Sequence, residues 1–465
     1  MKNKQKELNT SQYIVKERIK LGEKIAYGLG DVAINIIWSG ISGFATYYYT
    51  NSAGLAAAAI GTMFLISRIL DGISDILMGL IVDRTKSKHG KSRAWVLWMA
   101  IPFGLVAFLA FSIPPGWGSV AKLIYAYITY NLASTIIFTA ISVSYSSLMT
   151  RITDNEIDRT SLSAFRMFGA MICGLAINII VIPLVNGLGG GQKGWSITFA
   201  ILGVISAILF FICFAGTKER VGSSVAGEEK KDDVPVKEAL KALVKNKFWL
   251  NRAVNSLTSS IIMAGTGVNV YYAAYWLNNE EAVGIISIVN VLPMIVTMLL
   301  STYISRVMSK RNMSIMAAVI SMVGLVIQAI NPGSLVTVLA GCAVRGIGTG
   351  LLSAISWVMM AEVVDYGEWK TGVRSEGLVF SAISFGQKVG AGLGSAMLGW
   401  ALAIGGFDAA AAVQTESAKN SILAVFTYIP FVLQIIILIL SVLYTVEKQM
   451  PQIREDLLKK RTETN

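Results

Sequence analysis

Six ionisable residues fall inside apolar stretches of this sequence: Asp31, Arg68, Asp71, Asp75, Arg345 and Lys388. At the centre of a bilayer each would cost roughly 2.5–3.5 kcal/mol on insertion scales, so each needs a partner or a task. Arg68, Asp71 and Asp75 are spaced three and four apart, which puts them on one face of a helix. Two carboxylates about 6 Å apart repel by roughly 3 kcal/mol at an effective dielectric of ~20, so both do not stay ionised without compensation. Arg68 supplies part of it. A proton on one carboxylate or a bound Na⁺ supplies the rest, because a hard cation prefers oxygen ligands. The alternative is an ion-pair cluster that only locks this helix to a neighbour. Asp31 follows Gly28-Leu29-Gly30 in a span otherwise free of charge. It can accept hydrogen bonds from sugar hydroxyls, join the cation site, or pair with Lys388 across a cavity. Lys388 lies among Gly386, Gly390, Gly392 and Gly394, where helices approach closely and an ammonium must face water or a carboxylate. Arg345 reads as structural.

The elements that would carry these charges are membrane helices. Of 465 residues, 54% are hydrophobic and 15% charged, against about a quarter charged in soluble domains. Apolar runs longer than about 18 residues recur, which excludes a soluble multidomain chain. They predict an all-α membrane protein of twelve spans, near 26–50, 55–82, 94–113, 120–148, 163–187, 195–216, 248–277, 282–304, 314–331, 335–363, 377–406 and 420–446. The net charge of +12 is concentrated in alternate loops. The other loops hold only isolated cations, Lys122, Lys193 and Lys419. That alternation sets orientation, with both termini in the cytoplasm, and is no nucleic-acid patch. The first two dozen residues are basic without an apolar core, so no cleavable signal is expected and the first span directs insertion. Cys173, Cys213 and Cys342 each sit in an apolar run and offer neither disulfide nor metal spacing. The lone His89 belongs to a basic loop.

The polar stretch 217–247 separates two six-span halves, 26–216 and 248–446, flanked by tails 1–25 and 447–465. It reads as a flexible linker whose Val236, Leu240, Leu243 and Val244 would make a short amphipathic helix. The halves echo each other: short basic loops follow the second and eighth spans, and acidic-then-basic loops enter the fifth and eleventh. Parallel six-span halves fit a major facilitator architecture. Tyr47, Tyr48, Tyr49 and Trp195 fall at span ends and read as an interfacial belt. Trp38 and Trp357 lie deeper and read as core packing.

Several ordered motifs carry a resemblance. Gly30-Asp31-Val32-Ala33, Tyr47-Tyr48-Tyr49-Thr50 and Arg68-Ile69-Leu70-Asp71-Gly72-Ile73-Ser74-Asp75 resemble the glycoside–pentoside–hexuronide:cation symporters. So do Asp83-Arg84-Thr85-Lys86-Ser87-Lys88-His89-Gly90-Lys91 and Asp365-Tyr366-Gly367-Glu368-Trp369-Lys370. The resemblance spans residues 22 to 450. It implies a major facilitator fold with alternating access, and sugar uptake driven by Na⁺ or H⁺. It implies further that Asp71 and Asp75 hold the coupling cation with Thr139 in support, and that Asp31 and Arg166 contact the sugar. Lys388 would lie between the two sites, and Asp83, Arg84 and Lys91 would belong to a gating loop. Ser74 stands where the family's melibiose permease has an asparagine near the cation, which leaves Na⁺ and H⁺ both open. Ser142 and Ser146 stand in place of an acidic sugar ligand and a stacking tryptophan, so the substrate is not expected to be of the melibiose type. The phosphotransferase-like domain of some lactose carriers is not expected.

The reading that follows is cation-coupled symport of a glycoside, oligosaccharide, pentoside or hexuronide, by a chain that acts as a monomer in the cell membrane without a cofactor. An exporter of drugs or metabolites driven by proton exchange would use a more apolar cavity and would not require the acidic pair. A membrane enzyme would need a nucleophile–base set or metal cluster, which the apolar runs lack. A non-transporting sugar sensor would keep the same ligands.

Overall fold

A computed structural model of the chain describes residues 19–153, 155–220, 246–371, 376–411 and 413–463. Secondary structure in these residues is entirely helical. The first half holds α1 (Leu21–Tyr47, continued by a π turn, Tyr48–Ser52), α2 (Ala57–Arg84), α3 (Ser92–Ala110), α4 (Ser119–Asn131), α5 (Phe138–Ile152), α6 (Glu156–Gly187) and α7 (Gly191–Gly216). A second π turn, Leu132–Ile137, joins α4 and α5 into one rod. After the linker come α8 (Lys247–Ala264) and α9 (Val268–Tyr275), joined by a 3₁₀ turn at Gly265–Gly267. Then follow α10 (Ala282–Val307), α11 (Lys310–Ile330), α12 (Leu335–Thr371) and α13 (Glu376–Ile404). The last rod is α14 (Glu416–Leu423), a π turn at Ala424–Tyr428, and α15 (Ile429–Leu443). Among the described residues this makes six rods on either side of the linker. Among the described residues, nine helices are long and apolar enough to cross a membrane by length and composition. The remaining rods are α2, α8–α9 and α13.

The two halves repeat one packing scheme. In the first, α1 packs on α6 and α7, and α3 on α7; in the second, α8 packs on α13 and α15, and α11 on α15. Between halves, α2 lies along α13 and α6 meets α10. One end of the bundle carries the basic loops, and several helices extend past their apolar windows there. α6 begins at Glu156 and α12 runs to Thr371. Charged residues at these ends keep helical hydrogen bonding beyond the hydrocarbon, which hydropathy alone does not register.

The far end is where the halves are sealed. Tyr47 Oη donates to Glu280 Oε1 at 2.8 Å, Thr50 Oγ1 and the Tyr271 hydroxyl lie 2.6 Å apart, and Asn51 Nδ2 donates to the Tyr275 hydroxyl. Trp400 Nε1 donates to Thr62 Oγ1 at 3.2 Å. Gly61 of α2 rests against α13 so closely that a Cβ there would stand 2.7 Å from the Ala396 carbonyl oxygen. The expected aromatic belt is corrected here. Tyr48 and Tyr49 are fully buried, with Tyr47 and Trp195 nearly so. They stack with Phe111 and Phe199 inside the first half, or face Tyr271 across the seal. Aromatic rings at a span end mark a lipid interface only when no second bundle covers them.

The tail after the last span is also helical: α16 (Met450–Glu463) buries Met450, Ile453 and Leu457 against the second half. Their three- and four-residue spacing is an amphipathic signal that the basic composition obscured. The amphipathic helix expected at 236–244 lies outside the described residues. His89 is exposed and edge-on to Phe214, and the three cysteines are buried and free, as expected.

Because the seal needs close approach at Gly61, Gly61→Val is expected to hold the far end open. Overpacking of this kind costs about 1–3 kcal/mol, roughly a 5- to 150-fold population shift. Cysteine labelling of a position beneath the seal should accelerate accordingly. Unchanged labelling would show that α2 and α13 do not form the barrier.

Candidate functional site

Two polar clusters lie between the halves, and the helical repeat places both on shared ladders. On α1, Asp31, Asn35 and Trp38 recur at i, i+4 and i+7. On α5, Phe138, Ser142 and Tyr145 follow the same rule, with Thr139 and Ser146 beside them. Seven helical residues separate the two ends of each ladder by about 10 Å.

At one end, Arg166 of α6 reaches Asp31, with Nε 3.1 Å from Oδ1. Its Nη1 donates to Ser146 Oγ at 3.2 Å, and its guanidinium faces the Tyr145 ring. Asn35 Nδ2 donates to the Asp31 carbonyl at 2.8 Å and approaches Oδ2 at 3.3 Å. Tyr145 stacks on Tyr27, whose carbonyl accepts the Tyr145 hydroxyl, so the ring under Arg166 is fixed. The two residues that resemblance marked for the sugar are therefore joined. The partner of Asp31 is Arg166 and not Lys388.

At the other end stands the acidic pair. Arg68 Nη1 binds Asp71 Oδ2 at 3.1 Å, and the same guanidinium lies 4.4 Å from the Trp38 ring centroid. Trp38 in turn stacks on Phe138, next to Thr139. Thr139 Oγ1 lies 3.0 Å from Asp75 Oδ1 and 3.4 Å from Asp71 Oδ1. Ser74 Oγ lies 3.0 Å from the Asp71 carbonyl, 3.1 Å from the Thr135 carbonyl and 3.2 Å from Thr139 Oγ1. Each hydroxyl has one proton to donate, so lone pairs are left over. Oxygens of Asp71, Ser74, Asp75, Thr135 and Thr139 thus converge, as a hard monovalent cation requires. Asp71 is 3% exposed, whereas the Asp75 side chain is 39% exposed.

Lys388 comes from the opposite half to this same place. Its ammonium pairs with Asp75 and lies 3.4 Å from the Asp71 carbonyl oxygen. Implied to stand between the two clusters, it sits on the acidic pair. Two carboxylates, one guanidinium and one ammonium balance to zero charge. A monovalent cation that enters among these oxygens must therefore displace the ammonium or leave an uncompensated positive charge.

Sequence reasoning missed Asn35, the Thr135 carbonyl and Trp38 as a bridge between the ends. Asn35 was legible at i+4 from Asp31. The Thr135 carbonyl was not, because the π turn that presents it has no residue signature. Ser142 is half-buried on the α5 ladder. The Trp357 side chain lies outside the described residues. Arg345 is buried over Phe426 with Gly324 of α11 against its backbone, in keeping with a structural part. Among the described residues no group of three His, Cys, Asp or Glu side chains forms a metal cluster.

The loop read as a gate has an unforeseen anchor. Arg84 is exposed, and the Asp83 side chain lies outside the described residues. At the start of α3 the amides of Lys91, Ser92 and Arg93 all donate to the Glu219 carboxylate, at 3.0, 2.8 and 2.7 Å. In the second half the amides of Lys310 and Arg311 donate to Glu447 at 2.9 and 3.0 Å. Each carboxylate follows the last rod of its half and caps that half's third rod. Carboxylates favour such positions because the free amides and the helix dipole both point at them. Gly90, at φ +95°, leaves room for Glu219.

Two repeated sets of six rods around ion pairs inside the bundle, one of them joining the halves, define a polytopic carrier of the major facilitator type. The chain belongs to the MFS/sugar transport protein family, which it matches over residues 26–448, and within it to the glycoside–pentoside–hexuronide:cation symporters. It is 33% identical to the isoprimeverose transporter of Lactiplantibacillus pentosus, over 97% of this chain and 94% of that one. It is 33% identical to the putative glycoside/cation symporter YagG of Escherichia coli (strain K12), over 96% of each. A mutant of the nucleoside transporter NupG shares the fold at a TM-score of 0.66 and 12% identity, over 90% of this chain and 99% of that one.

Glu219→Ala should free three amides and cost about 0.5–2 kcal/mol, the range for losing a helix cap. The expected result is a lower maximal transport rate and a lower melting temperature, with substrate affinity unchanged. A selective loss of affinity would place Glu219 in the binding site.

Proposed function

We propose that this family member imports a glycoside together with a monovalent cation, Na⁺ or H⁺, by alternating access in the cell membrane. Asp71 and Asp75 hold the cation with the oxygens of Ser74 and Thr139. Asp31 and Arg166 hold sugar hydroxyls, with Ser142, Ser146 and Asn35 lining the same end. The carrying observation is Lys388: an ammonium from one half seated on the acidic pair of the other. It acts as a tethered stand-in for the cation. When the cation enters, the ammonium is released, and the tie between α2 and α13 depends on what occupies the acidic pair. The Trp38 ring, between Arg68 and Phe138, lets an event at the acidic pair be felt on the helix that carries Asp31. Coupling is reciprocal, so bound sugar raises cation affinity by the same factor.

The family and the names of its relatives support sugar and cation as cargo. The polar, ion-paired groups between the halves support a hydroxylated substrate over apolar compounds. The chain works as a carrier and not as an enzyme, needs no resident cofactor, and functions as a monomer because one chain supplies both halves. Bodies at 26–216 and 248–446 rock about the site. Basic loops at one end favour a cytoplasmic position for both termini and for the linker 217–247, with tails 1–25 and 447–465 on that side. The seal at Tyr47, Thr50 and Asn51 is then external. Asp83, Arg84 and Lys91 serve the opposite gate.

Vesicle uptake of labelled glycosides, with Na⁺ and H⁺ gradients imposed separately, tests this reading. One gradient should drive accumulation, and Asp75→Asn should abolish that accumulation while sugar binding persists. Accumulation by neither gradient sinks the symport reading. Equal cation stimulation in variant and parent would remove Asp75 from coupling.

A further inference from the structure

Resting on that reading of the sugar end, we infer that the substrate is a neutral glycoside, bound through a vicinal pair of hydroxyls, and that uronides are excluded. Charge between the halves is already balanced. Three cations reach the space between the halves, and each is matched to one carboxylate: Arg68 to Asp71, Arg166 to Asp31, and Lys388 to Asp75. The remaining described cations deep in the spans are held elsewhere. Arg345 is buried over Phe426 against α11, and Arg252 is buried against Met359 and Tyr444 inside the second half. A free cation to receive a substrate carboxylate is therefore missing among the described residues.

The sugar end itself presents a donor beside an acceptor. Arg166 has five N–H donors and spends them on Asp31, Ser146 and Tyr27, which leaves donors over for an incoming oxygen. Asp31 receives Arg166 at one oxygen and Asn35 at the other, and each oxygen keeps a second lone pair. Neighbouring hydroxyls satisfy both at once, one donating to Asp31 and the next accepting from Arg166. A uronate at the same guanidinium would stand carboxylate against carboxylate with Asp31, and like charges there disfavour each other. The ammonium that an entering cation frees does not change this. Lys388 is released at the Asp71 end of the ladder, about 10 Å along the helix from Asp31.

The test uses matched probes on the intact protein in proteoliposomes: 4-nitrophenyl β-xyloside and β-glucoside against 4-nitrophenyl β-glucuronide. Equilibrium binding should favour a neutral probe over the glucuronide by at least tenfold. Asp31→Asn, which leaves Arg166 uncompensated, should weaken the neutral probe and raise glucuronide affinity, so that the preference narrows or inverts. Glucuronide bound by the parent as tightly as the neutral probes overturns the inference, whatever the variant does. An unchanged preference in a folded Asp31→Asn protein, checked by its melting curve, overturns the assigned cause. The symport reading fails separately: neutral glycosides would then bind with the expected preference, yet neither cation gradient would drive their accumulation. Binding of no probe removes the sugar assignment of this end and the inference with it.

Discussion

The pairing of Lys388 with Asp75 is the interaction on which the two halves of this protein depend. A half-buried ammonium on a membrane helix is costly, and so is a second carboxylate one helical turn from the first; each is tolerable here because the other is present. The cost is not removed by folding within one half, since α2 supplies the acids and α13 the base. Docking of the halves and neutralisation of the acidic pair are therefore one event. Any small cation that satisfies Asp75 competes with that event, which is how a monovalent ion can alter the relation between two bundles of six rods.

Around this tie the structure separates what must stay rigid from what must move. Tyr145 is bound to Tyr27 and supports Arg166, and Glu219 and Glu447 pin the third rod of each half by its amides. These contacts lie within a half and can persist while the halves rock. The contacts that must break lie between halves: the phenol and amide bonds of the far-end seal, and the glycine contact of α2 on α13. Polar bonds at the seal are joined there by apolar packing, including the Tyr47–Tyr271 ring pair and Gly61 on α13, so opening uncovers both kinds of surface.

Much of this was legible in the residues. Apolar runs and alternating basic loops specified the rods, and the spacing of Arg68, Asp71 and Asp75 specified a common face. Pairing across helices was less accessible. Asp31 had several admissible cations, and only the packing of α1 on α6 selects Arg166. Tyr47, Tyr48 and Tyr49 looked like an interfacial belt because hydropathy records where a span ends and not what covers it. The cap from Glu219 escaped notice because it joins residues more than a hundred positions apart. The buried face of α16 was present in the spacing of Met450, Ile453 and Leu457 but hidden by the basic composition around it.

The π turn at Leu132–Ile137 has a consequence for every residue that follows it on the same rod. Such a turn contains one residue more than the α-helix would use for the same rise, so it acts as an inserted residue absorbed without a break. Were this stretch wound as plain α-helix, the remainder would rotate by about 100°. Phe138, Thr139, Ser142 and Ser146 would then turn together away from α1 and α2, and both ends of the polar ladder would lose their α5 side at once. Deleting one residue there would move four side chains by changing none of them. The site is thus written as much in the phase of a helix as in the identity of its residues.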